Sequence, residues 1–310
     1  MRVPAAVALV VGSLSELLAA VPPIAPVANR VPQPFPFSVT AGPNGTVWTL
    51  SNNGGTGAGP FTGNCFSGPG VSVDEGETAT SGDAYDVAYT LWIDGAIFAV
   101  GTADVAGTTV TAGPLTMSGL TVTRQLFFSP TRQVVRVLDS FQNPTAATVG
   151  VLIQTPVNFG SDAGTEVHAT SSGDLVFTTA DRWLVTSDGG PSDPVNTTVL
   201  YGPGASALTA AAVTQSVFEC SNPDGAGWTF NLSVPAGATR RLLFFGGLED
   251  MLGTGNTVAG AIANAAIFDD AMALHNTTDL TSGLTAAELL EIANWDFSFV
   301  PVELQSFEVE

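Results

Sequence analysis

The sequence predicts a mainly β protein, a large antiparallel β-sandwich with two short helices near the C-terminus. Three observations carry that expectation. Strand-length runs rich in β-branched and aromatic residues recur along the chain, most clearly at residues 120–128, 134–141 and 149–156. Turn-forming clusters separate the runs, drawn from 34 Gly and 20 Pro. No helical pattern interleaves the runs before residue 258, which argues for a sandwich and against βαβ units.

Taken in order, residues 1–30 open with Arg2 and an apolar stretch that resembles a secretion signal, with Leu18-Ala19-Ala20 as a cleavage sequence. Glu16 and Pro4 interrupt it, and it is too short to span a membrane. Residues 31–37 (VPQPFPF) read as an extended arm or edge segment. Strand patterns follow at 47–50, 85–93 and 96–100, the last two joined by the turn signal Asp94-Gly95. Shorter patterns at 108–110 and 115–117 lead into the three long runs. Ser129-Pro130-Thr131 and Asn143-Pro144-Thr145 separate those runs, so they read as a three-strand meander at the centre of a sheet.

Further strands are expected at 167–170, 175–179, 183–187, 198–201 and 213–219. A hairpin is expected between 228–234 and 240–245 across Pro235-Ala236-Gly237. Residues 258–274 have helical apolar spacing and Ala-rich composition. Thr285-Ala286-Ala287-Glu288 is a capping box that opens a second helix. A last strand is expected at 302–309. The organisation read from these elements is a signal-like or extended N-terminal arm (1–37), a β-sandwich (38–256), a helical segment packed on it (257–296) and a β tail (297–310).

Composition narrows function by exclusion. Hydrophobic residues make up 45% of the 310, so a packed core is available and disorder is not expected. The chain carries 28 acidic and 8 basic residues, a formal net charge of -20. Every basic residue is Arg. The absence of Lys removes Schiff-base chemistry, and the acidic balance argues against nucleic-acid binding. Such a surface suits an extracellular or cell-surface protein. In that compartment Cys65 and Cys220 are expected to form a disulfide worth on the order of 4–5 kcal/mol, two buried thiols being the alternative.

Candidate chemistry is sparse. No Ser-x-Gly elbow, HExxH, Walker loop or dinucleotide glycine motif is present. His168 lies on a strand beside Glu166, as a half-buried strand residue or an acid–base group; the other histidine is His275. Arg124, Arg132 and Arg136 fall in the long runs, either as cross-strand partners of carboxylates such as Asp139 or as an anion site. Alternation places Val135, Val137 and Phe141 on one face and Arg136 and Asp139 elsewhere. Turn carboxylates Asp162, Asp174, Asp181 and Asp188 could ligate calcium, though they lack EF-hand or RTX spacing and suit turns equally well. Trp48, Trp92, Trp183, Trp228 and Trp295 are core residues by default or a sugar platform otherwise. Sequons at Asn44, Asn196, Asn231 and Asn276 mark spots expected to be exposed.

Two stretches carry a resemblance. One is residues 122–188, with FFSPTRQVVRVLDSFQNPT, NFGSD (158–162), SSGD (171–174) and DRWLVTSD (181–188). The other is VPAGATRRLLFF (234–245), the Ala-rich helices and NWDF (294–297). Together they resemble uncharacterised secreted bacterial proteins with a galactose-mutarotase-like β supersandwich. The resemblance implies that fold and export, and no activity; the His/Glu pairs of sugar-active relatives have no counterpart here.

The functional expectation is a non-catalytic extracellular structural or surface protein, a filament subunit assembling by exchange of terminal strands. Apolar extended segments at both ends motivate it, with Val300, Val302, Leu304, Phe307 and Val309 in the C-terminal one. The partner is then another copy of the chain, in a homo-oligomer or polymer. A carbohydrate-binding or carbohydrate-modifying domain is the alternative, with a glycan as partner, and a calcium-stabilised adhesin is a third reading. No other cofactor, no nucleic acid and no membrane span are expected.

Overall fold

The structure, a computed structural model, describes residues 30–52, 60–61, 70–190, 193–217, 225–248 and 257–300. Its first strands are β1 (Val31–Pro34), β2 (Phe37–Thr40), β3 (Val47–Ser51), β4 (Ser72–Glu77) and β5 (Tyr85–Ala88). The small hairpin β6 (Trp92–Ile93) and β7 (Ala96–Ile97) follows, then β8 (Thr102–Ala106), β9 (Thr109–Met117), β10 (Leu120–Phe128), β11 (Val134–Gln142) and β12 (Val149–Phe159). The later strands are β13 (Glu166–Thr170), β14 (Trp183–Ser187), β15 (Asn196–Val199), β16 (Ala212–Val217), β17 (Gly225–Val234) and β18 (Thr239–Leu248). Three α-helices close the described chain, α1 (Val258–Ala265), α2 (Ala271–Thr277) and α3 (Ala286–Glu291).

The strands form two antiparallel sheets of nine strands each. The first runs β1-β8-β9-β10-β11-β18-β15-β14-β13. The second runs β16-β17-β12-β5-β4-β3-β2, with β6 and β7 attached beside β12. The fold is thus a mainly β sandwich with short helices at its C-terminal end. Helices and sheets make three layers and two cores. Trp48, Phe128, Tyr89, Trp228 and Phe244 pack between the sheets. Val134, Leu138, Leu243 and Phe245 pack on the other side of the first sheet, against Phe268, Leu274, Leu289 and Trp295. Neighbours Phe244 and Phe245 therefore serve opposite cores, as a period of two requires. A sheet covered on both faces explains the near-continuous apolar runs of β11 and β18.

The three long runs do not form a meander. β10 and β11 pair as expected, but β12 crosses to the second sheet and pairs with β17. The stretch at 235–237 is likewise no hairpin: β17 lies in the second sheet, and β18 pairs with β11 in the first. Both connections are arches between sheets, and Asn143 joins them. Its buried amide donates to the carbonyls of Ala147 (2.8 Å), Val234 (2.9 Å) and Pro235 (3.1 Å) and accepts from Thr145 N (2.9 Å). Those bonds satisfy a buried turn that a hairpin would have left in solvent.

Other expectations are corrected at single residues. Asp139 shares the inner face with Val135, Val137 and Phe141, because odd positions of one strand point together. The expected strand at 85–93 breaks after Ala88, where Tyr89 has φ +58°. Residues 175–179 form a loop, with Leu175 and Val176 exposed. The expected helix at 258–274 is two helices. Asp270 adopts an extended conformation and caps α2, accepting from Met272 N and Ala273 N. The capping box at Thr285 and Glu288 and the Asp94-Gly95 hairpin form as the sequence indicates. Residues 31–34 and 37–40, at the boundary of the expected arm, are paired inside the chain's own sheets, with β8 and β3. The signal-like stretch, Cys65, Cys220, Val302, Leu304, Phe307 and Val309 lie outside the described residues.

Gly246 illustrates how tightly the inner core is fitted. A Cβ there would lie 2.6 Å from the Tyr89 hydroxyl and 2.8 Å from that of Tyr85, whereas at Gly150 it would meet nothing within 4 Å. Gly246→Ala is expected to lower stability by about 1–3 kcal/mol. Gly150→Ala stays within about 0.5 kcal/mol of the parent. Urea denaturation of the two variants checks the contrast.

Candidate functional site

The polar residues singled out in the sequence are mostly consumed by the fold. Arg124 and Asp139 face each other across β10 and β11 and form a buried bidentate pair, at 2.7 and 2.9 Å. The Arg124 guanidinium also donates to the carbonyls of Val71 (3.1 Å) and Tyr89, which belong to the second sheet's side of the core. Arg136 points to the opposite face. It donates to the carbonyls of Leu280 and Ser282, both at 2.9 Å, and to Gln125 (2.7 Å), and lies over the Phe127 ring. Burial lowers its pKa to about 10, against the opposing pull of Glu288 and Asp279, so it stays charged at neutral pH. Arg132 sits in the turn between the strands. The three arginines are therefore not brought together as an anion site.

The histidines are engaged locally. His168 Nε2 lies 2.8 Å from Ser187 Oγ, but Ser187 is 1% exposed and its Oγ already accepts from Gly189 N. A buried hydroxyl of this kind offers no approach to a substrate. His275 Nδ1 meets Thr281 Oγ1 at 2.9 Å, and its ring packs on Phe297 and Phe299.

The calcium candidates act as turn residues. Asp181 is buried and accepts from Ser172 N (3.0 Å), Thr178 N (2.8 Å) and Thr178 Oγ1 (3.0 Å). Burial acts to raise its pKa, but these hydrogen bonds outweigh burial and hold it below the usual carboxylate range. Asp174 accepts from Val176 N, Asp188 from Gly190 N, and Asp162 opens a short 3₁₀ turn. Among the described residues no three His, Cys, Asp or Glu side chains converge to hold a metal ion. All five indoles are buried, so none forms a sugar platform. Of the sequons, Asn44, Asn231 and Asn276 are exposed, whereas Asn196 is buried and donates to Ala84 O.

Sequence reasoning missed Glu75. Burial pushes its carboxyl up to about 7, reinforced by Asp83 and Glu77 and opposed by hydrogen bonds from Gly76 N and Ala84 N. Its signal, acids close together around a half-buried strand, is visible only once the chain is folded.

Several surface clefts remain open. A cleft of about 400 Å³ lies on the outer face of the first sheet, where the helices do not cover it. Thr121, Thr123, Gln125, Gln142, Arg241 and Glu288 line it, beside the apolar side chain of Leu138. A larger groove of about 630 Å³ runs between the open end of β17 and the C-terminal segment. It exists because β16 is shorter than β17. Their pairing begins at Ala212 and Thr229, so residues beyond Thr229 have β12 on one side and, among the described residues, no strand on the other. Residues 206–209 and 292–298 form the facing wall, with Leu290 and Arg240 beside it. Among the described residues no helix is long and apolar enough to cross a membrane.

No family model and no curated protein matches the chain. Among solved structures it is similar to the crystal structure of a candidate aldose 1-epimerase from Klebsiella pneumoniae. The two are 13% identical over 73% of this chain and 82% of that chain, with a TM-score of 0.36. A likeness that distant bears on neither substrate nor activity.

Glu75 gives the fold a pH signature. Its folded pKa of about 7 exceeds its ordinary value of 4.5, so folding favours the protonated form. The stability this group contributes is complete below about pH 4.5 and is lost as pH rises through about 7. Glu75→Gln keeps the acceptor for Gly76 N and Ala84 N but does not titrate. The variant is expected to gain stability relative to the parent between pH 4.5 and 8, read as the difference of their melting temperatures. A constant difference across that range would contradict the assignment.

Proposed function

We propose that the protein is a non-catalytic structural or surface subunit, extracellular, that assembles with copies of itself through its C-terminal segment. The observation that carries this reading is the open strand edge of β17 beside the segment that leads to residues 301–310. An unpaired edge is a template for another strand, and monomeric proteins normally cover or interrupt theirs. β1, an edge of the first sheet, carries Pro32 and Pro34 in this role. The absence of Lys, the net charge of -20 and the signal-like N-terminal stretch support an exported protein. The engagement of both histidines and of Arg124 and Arg136 in the fold supports a role without catalysis.

Deletion of residues 301–310 tests this directly. The full chain is expected to form oligomers or filaments visible by electron microscopy, and the deleted chain to remain monomeric with an unchanged melting temperature. Unaltered assembly after deletion would refute it. Export carries its own consequence: thiol titration of the denatured, unreduced protein should find Cys65 and Cys220 both blocked as a disulfide. Free thiols at both positions would contradict that pairing.

The polar cleft on the first sheet favours a second reading, a carbohydrate-binding surface. Hydroxyl, amide and charged groups on a rigid sheet match the hydrogen-bonding needs of a sugar. A glycan array probed with the full chain decides it; binding abolished by Gln125→Ala would support this reading and an array without hits would remove it.

A further inference from the structure

We infer that the groove beside β17 is the receptor for residues 301–310 of a second copy of this chain, taken up as an added strand. This rests on the assembly reading above and names its acceptor site. The backbone supplies the first argument. Thr229 O accepts from Ala211 N, so the main-chain groups of Thr229 point toward the β16 side. Groups alternate sides along an antiparallel strand, so Asn231 and Ser233 point their N–H and C=O the same way. β16 has ended there, and among the described residues no strand pairs with them on that side. Their side chains are exposed on the sheet's outer face, which leaves the edge clear.

Charge and shape supply the second. Arg240 lines the groove and makes no ion pair with a described residue. The segment VELQSFEVE offers Glu303, Glu308 and Glu310 and no basic residue, in a chain otherwise repelled by its own net charge of -20. Leu290, 37% exposed, and Leu208 give the groove an apolar flank. In an extended segment Val302 and Leu304 fall on one face, while Phe307 and Val309 fall on the other.

The exit of the chain argues for a neighbour's segment. Asp296 and Ser298 stand between the groove and an adjoining hollow beside α2, Phe299 lines that hollow and packs on His275, and Val300 is buried in the outer core. The chain therefore leaves its own groove before residue 301. The ten residues beyond it reach about 33 Å when extended, enough to bridge to another molecule. Every copy then offers one segment and one groove, a head-to-tail contact that propagates or closes into a ring.

The test uses sedimentation velocity on the full chain, and fluorescence anisotropy with a labelled peptide of residues 300–310 added to the chain lacking 301–310. The full chain should assemble with rising concentration, and the deleted chain should bind the peptide saturably. Asn231→Pro removes an edge N–H and Arg240→Glu reverses the groove's charge; each should weaken peptide binding at least about tenfold and block assembly, with melting temperatures near the parent's. If deletion abolishes assembly but neither substitution affects it, the groove is wrong while assembly through the tail stands. If the full chain stays monomeric while the deleted chain binds the peptide, the groove holds its own tail and the inference is overturned. If deletion leaves assembly intact, the underlying reading fails.

Discussion

The Arg124–Asp139 pair is the contact on which the two sheets depend. Both side chains are essentially free of solvent, at 1% and 0% exposure. A charge in such a place is tolerated only when paired and when its remaining donors are met. Asp139 meets the requirement from the neighbouring strand of its own sheet. The rest of the guanidinium is met by the carbonyls of Val71 and Tyr89 across the sandwich. One side chain thus fixes the register of β10 on β11 and the placement of the opposite sheet at once. A one-residue slip would set Arg124 beside Leu138 or Ser140 and strand Asp139 among Val137, Phe141 and Val122.

The same logic repeats outward. Arg136 ties the outer face of the first sheet to the loop before α3. Arg241 pairs with Glu288 and Glu291 and donates to Ser140. Arg182 pairs with Asp269 beside α2. Asn294 and the Trp295 indole fasten the last segment to Leu243 of β18. Half of the chain's 8 arginines therefore hold one layer to the next. Lys, a flexible point charge, could not serve the multi-donor positions of Arg124 and Arg136 in the same way. That demand accounts for the structural arginines; it does not account for the absence of Lys elsewhere.

Local chemistry was legible in the sequence and long-range connection was not. The limits of β10 and β14, the Asp94-Gly95 turn and the capping box at Thr285 follow from propensity and turn residues within a few positions. Whether β12 pairs with β11 or crosses to the other sheet depends on Asn143, whose partners Val234 and Pro235 lie 91 and 92 positions away in the chain. The short loop at 235–237 looks the same in a hairpin and in an arch. Asp139 could have been placed correctly from parity alone, since it is an even number of residues from Val135 and Val137. The groove beside β17 was invisible because it arises from a mismatch between strand lengths. Only the strand-like run of its occupant, at residues 302–309, could be read.

On this account charges are turned inward to hold layers, and among the described residues β17 has no partner on its β16 side beyond Thr229. The claim that a buried ion pair sets the sandwich is tested most directly by a double-mutant cycle at Arg124 and Asp139. Arg124→Met should lose about 3–5 kcal/mol by stranding the carboxylate, and Arg124→Met with Asp139→Leu should recover most of that loss. Two single substitutions that are each mild, and that simply add in the double variant, would contradict it.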